Sequence, residues 1–111
     1  MELNRELRES APLFAALGDE TRLLLLARLA RGEPLSITRL AEGTDLTRQA
    51  VTKHLHVLAN ARLVEGARKG REQKWEMNVR RLEHARRCLD TIGRQWERAL
   101  DRLKTVVEEG D

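Results

Sequence analysis

Five residues between positions 48 and 56 carry the chemistry that stands out in this chain: Arg48, Gln49, Thr52, Lys53 and His56. Their spacing puts them on one face of a helix. Val51, Leu55 and Leu58, with Ala50 and Ala59 contributing less, recur on the opposite face. Two cations and no acid lie between Thr47 and Arg62. Guanidinium, amide, hydroxyl and ammonium groups are what major-groove base edges and phosphates require. A helix with a dry back and an acid-free front suits DNA. The plainer alternative is a helical hairpin within any small α-domain.

The elements that would position this face can be read on either side of it. The stretch Asp45–Leu63 reads as a turn followed by a helix, with Thr47 as N-cap. Before it, Ser36–Thr44 reads as a short helix with Ile37, Leu40 and Ala41 inward. Gly43, Thr44 and Asp45 then turn the chain, and Leu46 plugs the turn. Helix, short turn, helix is a helix-turn-helix. After it, Leu63–Arg68 and Glu72–Met77 are strand candidates around the basic turn Lys69-Gly70-Arg71. A hairpin with a basic tip directly after a reading helix is a wing, able to hold phosphate or enter the minor groove. Arg68, Lys69 and Arg71 are its candidate contacts, and Lys74 is a fourth. A charged hairpin tip elsewhere would be no more than solvated.

Three stretches together resemble the ArsR-type winged-helix repressors: FAALGDETRLLLLARL at 14–29, ITRLAEGTDLTRQAVTKHLHVLANARLV at 37–64 and GREQKWEM at 70–77. The resemblance covers roughly residues 13–108. It implies a homodimeric, operator-binding transcriptional regulator, usually a repressor released by a signal. It also implies that the first and last helices meet in the dimer interface. In metal-sensing relatives, cysteines open the helix before the reading helix. Ser36 and Thr38 stand there in this chain, and hydroxyls are poor soft-metal ligands. A further metal site of the family uses Asp, His and Glu along the last helix. Here His84 stands near Glu83 and Cys88, with no second histidine following. The resemblance therefore points to the subgroup without metal cysteines, and neither metal nor cofactor is expected. His54 matches the histidine of the family's His-Leu pair, in a structural or near-phosphate role.

Composition bounds the remainder. The 111 residues suit one domain, 1–111, with 41% hydrophobic and 35% charged residues. Within it, residues 1–12 form an N-terminal extension, 13–77 the winged core and 78–109 a C-terminal helix. The net charge of +3 hides an asymmetry. Residues 47–74 carry seven basic and two acidic groups, a net +5, whereas 1–46 sum to −2 and 75–111 to zero. The positive excess sits on the reading helix and wing, the footprint of a nucleic-acid reader. No apolar run approaches a membrane span, and the N-terminus has no apolar signal core. One cysteine excludes an internal disulfide framework. A cytoplasmic location is expected. No nucleophile–base–acid pattern or phosphate loop argues for an enzyme.

The remaining elements are scaffold. Leu3 and Leu7 suggest a first short helix, with Pro12 restarting the chain into Leu13, Phe14 and Leu17. Asp19 caps a second helix whose Leu23–Leu26, Ala27 and Leu29 are apolar on most sides, which predicts a buried central helix. Gly32 and Pro34 stop it. From Asn78 or Val79 a helix can run to Glu109. Along it Leu82, Leu89, Trp96 and Leu103 stand seven apart, and Ala85, Ile92, Ala99 and Val106 three later each time. Four a/d heptads predict a seam with a second chain. Cys88 falls at a g position, at the edge of that seam. The fold class expected is mainly α with a β wing: a winged helix-turn-helix with a long C-terminal dimerisation helix. The function expected is sequence-specific, homodimeric regulation of transcription at an inverted-repeat operator. The alternative is a winged-helix adaptor or anti-repressor that binds protein instead of DNA.

Overall fold

The computed structural model describes residues 2–109, apart from the side chains of Glu2, Leu3 and Lys69. Five helices and one hairpin follow in the order α1 Glu2–Leu17, α2 Glu20–Leu29, α3 Ile37–Ala41, α4 Arg48–Asn60, β1 Val64–Lys69, β2 Glu72–Met77 and α5 Val79–Glu109. Extents of 67 × 31 × 21 Å come from a compact head and the far half of α5 projecting from it. This is the winged helix-turn-helix that the spacing predicts.

Local chemistry sets most boundaries. Asp19, Ser36 and Thr47 cap α2, α3 and α4, each side chain accepting from the backbone N–H three residues on. The helix Arg48–Asn60 thus begins where its sequence signal does. It ends in a Schellman motif. Arg62 N–H donates to the Ala59 carbonyl and Leu63 N–H to the Leu58 carbonyl, both at 2.9 Å. Arg62 sits at φ 62°, a left-handed position without the glycine that usually fills it. Leu63 is thereby turned fully into the core.

The hairpin pairs Val64 with Met77 through Lys69 with Glu72. Its two-residue turn places Gly70 first, at φ 66°, as a type II′ turn requires. Backbone bonds in both directions between Leu35 and Trp75, 2.9 and 2.8 Å, tie the hairpin to the segment before α3. Leu13, Leu25, Leu29, Leu40, Val51, Leu55, Leu58, Leu63 and Val64 form the shared core, all nearly solvent-free.

Four expectations need correction. Pro12 does not restart a helix; it lies inside the continuous α1. It costs the Arg8 carbonyl its partner, but both residues are exposed, so water can take that place. Helix α2 is not buried on most sides: Leu25, Leu26 and Leu29 face the core, while Leu23, Leu24 and Ala27 are exposed. Four successive leucines span every direction around a helix, so they cannot all point inward. Ala85 belongs to the chain's own core, with Leu82 packed against that core. The near end of α5 lies on α1, which leaves little of Ala85 for a seam between chains. Cys88, expected at the seam's edge, is buried within the chain, on the side of α5 that carries His84 and Thr91.

Two measurements follow. Arg62→Gly removes the left-handed penalty and should stabilise the chain by up to about 1 kcal/mol in denaturant melts; a loss of stability would mean the Arg62 side chain is holding the turn. The Arg22 backbone N–H bonded to Asp19 holds that carboxyl below its ordinary range, helped by the nearby Arg22 guanidinium and opposed by desolvation. A lowered folded value means a contribution present above the unfolded carboxylate range and lost as pH falls through the folded value. Asp19→Asn keeps a capping oxygen without the charge. Its melting temperature should therefore decline less than that of the parent chain over that acid limb.

Candidate nucleic-acid interface

The interface is assembled from α3, α4 and the hairpin. Val51, Leu55 and Leu58 are fully buried and fix the rotation of α4. Arg48, Gln49, Lys53 and His56 are consequently exposed and Thr52 half-exposed. These five, with Ile37 from α3, line one open hollow of about 700 Å3. The sequence reading brought the α4 residues together and put Ile37 inward; the structure packs it half-buried against the core, with part of it lining the hollow. Thr47 spends its hydroxyl on the Ala50 N–H at 3.0 Å, and Thr52 donates its own to the Arg48 carbonyl at 2.8 Å.

The helix is braced from behind. Arg22 Nε donates to the Ala16 carbonyl at 2.6 Å, and its Nη1 lies 3.4 Å from His54 Nδ1. An arginine can only donate, so His54 Nδ1 accepts. Asp19 Oδ2 lies 3.9 Å from the same nitrogen. His54 is therefore structural, linking α4 to the start of α2. Arg28 Nη1 donates to the Leu40 carbonyl at 2.8 Å and holds the end of α3. Neither arginine role was legible from spacing, since each joins helices far apart in sequence.

The wing stands beside this face. His56 meets Trp75 with ring centroids 6.4 Å apart and planes tilted by 59°. The Trp75 indole Nε1 is buried and has no partner among the described residues. Arg68 and Arg71 are exposed near the tip. The Lys69 backbone belongs to β1 at the turn, while its side chain lies outside the described residues. Lys74 differs from the other wing cations: it is half-buried and 3.9 Å from Glu72 on its own strand. Part of its charge is thus answered within the hairpin.

Elsewhere, a cleft of about 360 Å3 lies between α1 and α5. Ser10, fully buried, bonds His84 Nε2 at 3.2 Å on its wall, with Cys88 one turn beyond. His84 is therefore half-buried and held against α1. Among the described residues no group of three or more His, Cys, Asp or Glu could hold a metal ion. No described helix is long and apolar enough to cross a membrane.

Known proteins share this arrangement. Residues 17–67 match the family model described as a helix-turn-helix domain. The HTH-type transcriptional regulator Rv2034 of Mycobacterium tuberculosis is 38% identical over 99 residues, which cover 88% of this chain and 89% of the relative. Among solved structures, an ArsR-like transcriptional regulator from Rhodococcus sp. RHA1 superposes with a TM-score of 0.76 at 38% identity, covering 89% of this chain and 92% of that one. The homodimeric winged helix-turn-helix DNA-binding domain of a possible ArsR-family regulator from Mycobacterium bovis gives 0.63 at 25%, covering 82% of each. A reading helix on a leucine core, a tethered wing and likeness along nearly the whole chain agree: the protein belongs to the ArsR-like family of winged helix-turn-helix transcriptional regulators.

Proposed function

We propose that the chain acts as a homodimeric repressor at an inverted-repeat operator in the cytoplasm. Arg48, Gln49, Thr52, Lys53 and His56 meet the major groove, Thr47 lies near phosphate, and Arg68, Lys69 and Arg71 hold backbone through the wing. Lys74 contributes less because Glu72 accompanies it. The observation that carries this reading is the acid-free α4 face, presented outward beside a basic hairpin in a segment of net charge +5. An adaptor surface for protein would not need that concentration of positive charge.

Support for the dimer comes from α5. Leu89, Trp96, Ala99, Leu103 and Val106 are exposed along its 31 residues, Trp96 at 69% and Leu103 at 59%. Ile92 is half-covered, and Leu100 and Val107 widen the stripe. An apolar stripe of that length on one helix is unfavourable in water, and a second copy offers the matching surface. The Mycobacterium bovis relative is homodimeric by its description. Each copy brings one reading helix. Two must lie about 34–36 Å apart to meet successive major grooves. A dimer seated this way covers its operator against other proteins, which is the physical basis for repression.

Two experiments test the parts separately. Gln49→Ala and Arg48→Ala should each weaken operator binding by about 1–3 kcal/mol and relax sequence preference. Arg71→Ala should weaken all sequences alike and flatten the dependence of log K on log salt by about one unit. The reverse pattern, with Arg71 governing base preference, would exchange the two roles. For the dimer, Trp96→Asp would bury an unpaired charge in the seam at a penalty of several kcal/mol. Sedimentation should find a monomer with unchanged helical circular dichroism, and operator binding should fall to the nonspecific level. A variant that stays dimeric overturns the seam.

A further inference from the structure

The hollow on the reading face has a mainly carbon wall, although five of its six lining residues are polar. Thr52 explains part of this. Its hydroxyl proton is committed to the Arg48 carbonyl at 2.8 Å, which leaves less of its polarity for the wall it helps line. Ile37 supplies more. It is the first residue of α3, half-buried, and it closes the hollow from the neighbouring helix. Arg48, Gln49, Lys53 and His56 complete the lining. The result is a mainly apolar hollow whose wall also carries hydrogen-bonding groups.

Building on the operator reading above, we infer that this hollow takes the C5-methyl of a thymine, which makes Ile37 a specificity-determining residue outside the reading helix. Among the four bases only thymine presents a methyl group in the major groove. Cytosine at the same step would leave the hollow unfilled. The polar lining fits the same assignment. Gln49 can bond an adenine edge and Arg48 a guanine edge at adjoining steps while the methyl is seated between α3 and α4.

The test is a change in the DNA that leaves the protein untouched. An operator is first selected from random duplexes with the full chain. Each thymine is then replaced in turn by deoxyuridine, which removes the methyl and retains the pairing. One position per half-site should lose about fourfold in affinity, the worth of one buried methyl. Ile37→Ala should bind thymine and uracil equally at that position while still preferring the operator to random DNA. Should Ile37→Ala fail to fold by circular dichroism, Ile37→Val, one methylene shorter, must narrow the thymine-over-uracil ratio. Wild-type binding unaffected by every uracil overturns the inference and leaves the operator reading intact. Full thymine preference in the Ile37 variants overturns it as well. A chain that selects no DNA sequence at all overturns the operator reading and this inference with it.

Discussion

Three side chains decide what α4 can present: Val51, Leu55 and Leu58, each without solvent exposure. Their burial fixes the helix about its own axis, so the polar residues between them have one direction left. The cap at Thr47 sets where the helix begins, and the turn at Arg62 sets where it ends. Truncating one of the three would cost a few kcal/mol of core packing. It would also free the rotation that decides which residues α4 presents outward. Helix α2 serves the same constraint through Arg22 and His54, which tie the middle of α4 to the chain at Ala16 and Asp19.

What the sequence made legible follows from how local each signal is. The N-cap at Thr47 and the basic turn at Gly70 are patterns spanning a few residues, and each lies where its spacing indicated. Leu23 and Leu24 were misread because a run of four leucines has no period, and the inward face is chosen by α1 and α4. Ser10 and His84 lie 74 positions apart, so their bond follows only from α1 packing on α5. The burial of Cys88 has the same origin. Pro12 looked like a boundary because proline is read as a breaker, yet a single lost bond on an exposed flank leaves α1 continuous.

Helix α5 divides its surface along its length. Near its start, Ala85 and Cys88 are covered within the chain, and Asn78 caps the helix by accepting from the Arg81 N–H. Arg81 Nε also reaches back to the Ala61 carbonyl at 3.0 Å, joining the end of α4 to α5. Beyond Gly93 every described residue is exposed. On the polar flank, Arg86 bonds Glu83 and Asp90, an i−3 and i+4 arrangement that supports an isolated helix. The same element therefore completes one hydrophobic core and carries an uncovered stripe away from it.

The paired backbone bonds between Leu35 and Trp75 have a mechanical consequence. They fasten the hairpin to the strand-like segment from which α3 starts, and the His56–Trp75 contact fastens it to α4. Hairpin and reading helix thus lack an independent hinge between them. Any displacement of the Leu35 segment is therefore passed to the hairpin and to α4 together.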